Sequence, residues 1–70
     1  MTDTRSKFSH YKLKRLRVTA GLSVATLAGK ADITQMSLYG YESGAHEPKV
    51  SNAAKLAHAL GVKIEDLLRK

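Results

Sequence analysis

Apolar positions recur at helical spacing along this chain in a series of short segments, each closed by a glycine or by a residue with turn character. Leu13, Leu16 and Ala20 share one face and predict a helix from about Ser9 to Ala20, with Lys12, Lys14 and Arg15 toward water and Gly21 as its stop. A second helix is predicted after Ser23, presenting Leu27 and Ala28 inward and ending near Lys30. A third runs from Gln35 to about Ser43 behind a Thr34 cap. At about 100° per residue, Leu38, Tyr41 and Glu42 fall on one side of it, with Met36, Tyr39, Gly40 and Ser43 opposite. Gly44 to Pro48 reads as a loop. Val50, Ala53, Ala54, Leu56, Ala57 and Leu60 then give a fourth helix a broad apolar stripe up to Gly61, and Ile64, Leu67 and Leu68 predict one last short helix.

Two helix starts stand out because they repeat at a spacing of 11 residues, Leu22-Ser23 and Ile33-Thr34. In each, the hydroxyl residue can accept from orphan backbone N–H groups, and the apolar residue before it can pack on one five positions later, Leu22 on Leu27 and Ile33 on Leu38. Asp32 falls between the two helices, where a short turn needs a left-handed residue that Asp tolerates better than most. Two short helices joined in this way describe a helix-turn-helix, whose second helix is shaped to enter the major groove of DNA.

Composition narrows the picture to one small all-α domain. Seventy residues bury only about 60% of their unfolded surface, which leaves a marginal core and little room for a catalytic cleft. The chain is 43% hydrophobic with four aromatic residues and no cysteine, so helix packing rather than disulfides or thiolate metal ligands must hold it. Twelve basic against six acidic side chains give +6, and the whole excess lies in residues 1–31, densest at Arg5, Lys7, Lys12, Lys14, Arg15 and Arg17. A polyanion is the natural partner. Residues 1–8 read as a flexible basic arm and 9–70 as a single domain. The basic start followed by Val18 to Gly29 imitates a secretory signal, but Thr19, Gly21, Ser23, Thr26 and Gly29 break the apolar run. No segment is long enough to span a bilayer, and a cytoplasmic location is expected.

The segment Leu13 to Leu68 resembles the Cro/CI-type, or XRE, helix-turn-helix family. The resemblance is carried by Leu16-Arg17, Gly21-Leu22-Ser23, Leu27-Ala28, Thr34 through Leu38, Glu42 and Gly44, Pro48, and Leu56-Ala57 followed by Leu60-Gly61-Val62. It implies a compact five-helix, lambda-repressor-like domain that binds operator DNA as a symmetric dimer through helix 3. By position it implies base and phosphate contacts at Gln35, Met36, Ser37, Tyr39 and Gly40, and an ion pair between Arg17 and Glu42 that is structural. Lys49 stands where members of the family touch phosphate. The chain departs from the family pattern at Val24, where Gln is common, at Asp32, where Gly is usual, and at Gly40.

These positions have definite chemistry. Gln35 suits a bidentate contact to adenine, and Ser37 can donate to a phosphate or a base edge. Met36 suits a thymine methyl group, and Tyr39 can lie along sugar or thymine with its hydroxyl on phosphate. Gly40 would let the backbone come close to DNA. Ser23, Val24, Thr34 and Ser43 complete the expected contact set at the helix ends. Ile64, Leu67 and Leu68 can close the core, form a dimer contact, or both. His10, His46 and His58 lack a metal-ligand spacing and read as ordinary surface histidines, so neither cofactor nor metal is expected, and no nucleophile motif points to an enzyme. The expectation is a sequence-specific DNA-binding regulator, a repressor acting as a homodimer on a palindromic operator. The alternative is a protein-interaction or antitoxin-like module on the same fold.

Overall fold

The computed structural model describes residues 8–69 and is all-helical: α1 (His10–Thr19), α2 (Val24–Ala31), α3 (Gln35–Ser43) and α4 (Val50–Leu60), followed by a 3₁₀ turn at Ile64–Leu67. The first three helices start at side-chain caps. Ser9, Ser23 and Thr34 each accept from the backbone N–H three residues on, at 3.1, 3.0 and 3.0 Å.

Three of the four helix ends share one device. Gly21, Asp32 and Gly61 are left-handed, and in each case the next residue is apolar and donates its N–H to the carbonyl five residues back: Leu22 to Arg17, Ile33 to Ala28, Val62 to Ala57. This geometry satisfies carbonyls that the helix leaves open and turns the apolar side chain inward. Leu22, Ile33 and Val62 accordingly pack on the core cluster that holds Leu27, Leu38 and Leu56. Asp32, at φ 59° and ψ 46°, is the left-handed aspartate that the short turn between α2 and α3 requires.

Packing is sequential and tight. α2 lies against α3 and α4, α1 against α3, and the 3₁₀ turn closes the open end between α1 and α4. Leu13, Leu27, Leu38, Leu56 and Leu67 are fully buried at the centre.

Three features differ from the sequence reading. The last element is a single 3₁₀ turn rather than a fifth α-helix. Its bonds run three residues apart, Asp66 N to Lys63 O and Leu68 N to Glu65 O, and Leu68 then turns extended to bridge Phe8. Of the arm expected over residues 1–8, residues 1–7 lie outside those described, whereas Phe8 belongs to the core at 8% exposure because that bridge and the bond from Ser9 N to Leu67 O (2.8 Å) draw it in. Lys12, expected to face water, is half-buried, and its Nζ donates to Leu68 O at 2.7 Å. No helix among the described residues is long and apolar enough to cross a membrane.

Leu67 therefore joins the two ends of the domain. Leu67→Ala is expected to destabilise by about 2–5 kcal/mol, the usual range for a fully buried leucine, and to lower Tm by about 10 °C or more in a thermal melt.

Candidate nucleic-acid interface

The site is built on α3, whose two sides have opposite fates. Inward, Leu38 and Tyr41 are buried, and the Tyr41 hydroxyl accepts from Asn52 Nδ2 on α4 at 3.0 Å. Beside them, Glu42 takes a bidentate bond from Arg17 on α1, Nε to Oε2 at 2.6 Å and Nη2 to Oε1 at 3.0 Å. The third guanidinium nitrogen, Nη1, donates to Leu22 O at 2.8 Å, which adds the α1–α2 connection to the same cation. The two side chains are only 12% and 7% exposed. The hydrogen bond to Glu42 pushes the Arg17 guanidinium above its already strongly basic range, against the opposing effect of burial, and the charge of Glu42 adds a smaller push in the same upward direction. A raised folded-state value means that the stabilisation is fully present below the unfolded-state value and lost only at extreme alkaline pH, so Arg17 is a fixed cation under working conditions.

Outward, α3 offers a different surface. Met36 is 82% exposed and Tyr39 58%, with Gln35 and Ser43 exposed on the same side. The Gln35 side chain makes no hydrogen bond among the described residues, so its amide is available. The hydroxyls are more committed. Thr34 Oγ1 both accepts from Ser37 N and donates to Ser37 Oγ at 2.9 Å; Ser23 Oγ accepts from Thr26 N and donates to Thr26 Oγ1 at 3.0 Å; Ser43 Oγ donates to Gly40 O at 3.2 Å. Each still has unfilled capacity, but each is first a cap or turn-forming group.

The remaining expected residues divide. Lys49 is exposed immediately before α4, and no ion pair or hydrogen bond engages its ammonium among the described residues. Val24 is half-buried and packs on the core, which is why an apolar residue stands at the start of α2. Gly40 is a correction: it does not bring bare backbone to the surface, because it is buried beneath the His46 ring. A Cβ at Gly40 would overlap His46 Cδ2 and stand 3.2 Å from Cγ. His46 is thus not a detached surface histidine, and the sequence carried only one half of that signal, a glycine inside a helix where it costs about 1 kcal/mol relative to alanine. Leu67 is fully buried within its own chain, which leaves Ile64 and Leu68, both half-buried, with surface to offer a second copy. Among the described residues no cluster of His, Asp or Glu is placed to hold a metal ion.

Paired caps on α2 and α3, the left-handed turn at Asp32, and a third helix fixed on one side and open on the other define a helix-turn-helix domain. The chain belongs to the Helix-turn-helix family (HTH_3), which matches residues 13–67, and the Cro/CI-type resemblance holds. An uncharacterised HTH-type transcriptional regulator of Methanocaldococcus jannaschii is 36% identical over 56 residues, which cover 80% of this chain and 85% of that protein. Among solved structures, the restriction-modification controller protein C.AhdI from Aeromonas hydrophila superposes with a TM-score of 0.82 at 32% identity, covering 84% of this chain and 89% of that one. SinR of Bacillus subtilis, a master regulator for biofilm formation solved in complex with DNA, gives 0.79 at 27% identity, covering 84% and 98%.

Glu42→Ala removes the partner of a nearly buried cation and is expected to cost about 3 kcal/mol in urea denaturation. The double variant Arg17→Met with Glu42→Leu is expected to be less destabilised than Glu42→Ala alone, since no unpaired charge remains.

Proposed function

We propose that this protein is a sequence-specific, double-stranded DNA-binding transcriptional regulator, acting as a repressor, that binds a palindromic operator as a homodimer with α3 in the major groove. The observation that carries the reading is the open outer face of α3. Gln35, Met36 and Tyr39 project from a helix whose other side is locked by Leu38, Tyr41 and the Arg17–Glu42 pair. Rigid placement of a few side chains is what base reading needs, because each good bidentate contact discriminates by only about 1–3 kcal/mol and is lost if the helix rocks. In this reading Gln35 takes an adenine edge, Met36 a thymine methyl group, and Tyr39 sugar or phosphate. Ser37, Ser23, Thr34, Ser43 and Lys49 meet the backbone or neighbouring edges, and Val24 supports the start of α2.

The dimer follows from the size of one reading helix. A single α3 spans one half-site, whereas two copies reach successive major grooves about 34 Å apart. Ile64 and Leu68 supply apolar surface for that pairing. Beside them, the groove lined by Lys12, Arg15, Leu16, Val62, Glu65 and Asp66 has both signs of charge, which a surface that pairs with its own copy across a two-fold axis requires. A second reading, docking of a protein partner, draws on the exposed apolar pair Met36 and Tyr39.

Selection of duplexes from a random pool, followed by fluorescence anisotropy, tests the proposal. The selected duplex is expected to bind about 10³-fold tighter than random DNA, and a dimer touching about 6–10 phosphates should lose about 10³- to 10⁵-fold in affinity between 50 and 200 mM salt. Gln35→Ala and Met36→Ala should each relax base preference. Failure to prefer any selected duplex would overturn the proposal and leave the partner-docking reading.

A further inference from the structure

The side chain that α3 lacks at position 40 is replaced from elsewhere in the chain. Residues 36 and 40 are four apart on a helix, so their Cα–Cβ directions differ by only about 40°. The place where a Gly40 side chain would lie, on the stripe that carries the exposed Met36, is filled by the imidazole of His46. The ring is held there by backbone geometry as well as by contact. Three donors converge on Gly40 O: Gly44 N at 3.1 Å, His46 N at 3.2 Å and Ser43 Oγ at 3.2 Å. Ala45 N closes the same loop on Ser43 Oγ at 3.3 Å. The segment after α3 is thereby folded back along the helix, and His46 itself remains exposed.

We propose that His46 is a specificity-determining residue of the DNA-reading face, serving as the polar side chain of position 40 and donating from its imidazole to an acceptor on a base edge in the major groove. The inference rests on the DNA-binding reading above. Its chemical motive is the poverty of α3 in free hydrogen-bonding groups: Met36 and the Tyr39 ring have none, and Ser37 and Ser43 already serve local turns. An imidazole has one donor in its neutral form and two when protonated, and it can meet the N7 and O6 acceptors that mark guanine. Gly40 is then required by the neighbour it accommodates rather than by its own backbone, which is helical.

A double-mutant cycle with the selected duplex and a random duplex tests this. His46→Ala should weaken binding to the selected duplex about tenfold more than to the random one, and repeated selection with the variant should relax preference at one base pair in each half-site. Gly40→Ala should keep the fold, because alanine favours a helix interior and the His46 ring can swing outward, yet it should reproduce the same loss. The double variant should then bind like either single variant. If His46→Ala lowers Tm but leaves the preference for the selected duplex intact, or weakens both duplexes equally, the inference falls while the DNA-binding reading stands. If the unmutated protein prefers no duplex at all, the reading beneath it fails first.

Discussion

The orientation of α3 depends on one cation shared by three elements. Arg17 leaves α1, grips both carboxylate oxygens of Glu42 at the far end of α3, and holds the carbonyl of Leu22 in the connection to α2. The apolar contacts of Leu38 and Tyr41 that seat this nine-residue helix on the core are not directional. A planar guanidinium with its nitrogens engaged is directional. Buried pairs of this kind contribute little net stability after desolvation, and fixing one arrangement of the elements they join is the best-attested use of such groups. Here the arrangement specified is the angle at which Gln35, Met36 and Tyr39 leave the surface.

The same logic explains what the sequence could and could not tell. Features set by a few consecutive residues were legible: the caps Ser23 and Thr34, the left-handed Asp32, the stops at Gly21, Gly44 and Gly61, and the span of α3 all depend on local backbone chemistry. The family pattern added the Arg17–Glu42 pair, 25 residues apart, which no local rule yields. Features set by distant contacts were not legible. Phe8 is an isolated aromatic after a polar start, and its bridge to Leu68 with the bond from Ser9 N to Leu67 O, both to distant residues, draws it into the core. That extended pairing also ends the last element after one 3₁₀ turn, where apolar spacing alone predicted a helix.

The basic excess also acquires a different meaning. Arg17 and Lys12 contribute to the charge that points toward a polyanion, yet both are engaged by the fold, one by Glu42 and Leu22, the other by the Leu68 carbonyl. Counting charge along a sequence therefore overstates the cations available to DNA. Lys14, Arg15 and Lys49 remain exposed among the described residues, together with Lys30, Lys55, Lys63 and Arg69. A field spread over scattered lysines favours encounter with a duplex more than any particular register upon it.

In the proposed reading, register then comes from α3 and its surroundings. An outer face of methionine and tyrosine gains by covering methyl groups and sugar, contacts that are non-directional and discriminate weakly, so the few directional groups near it have a disproportionate share of the choice between sequences. Gln35 stands at the first turn of α3 and the His46 ring lies beside Gly40, one helical turn beyond Met36. In the proposed reading, polar groups at either end of an apolar centre would fix the helix along its axis on a duplex, while Arg17, Glu42, Tyr41 and Asn52 hold it to the domain from the other side. On that reading the face is set from both directions, and neither set of contacts would suffice without the other.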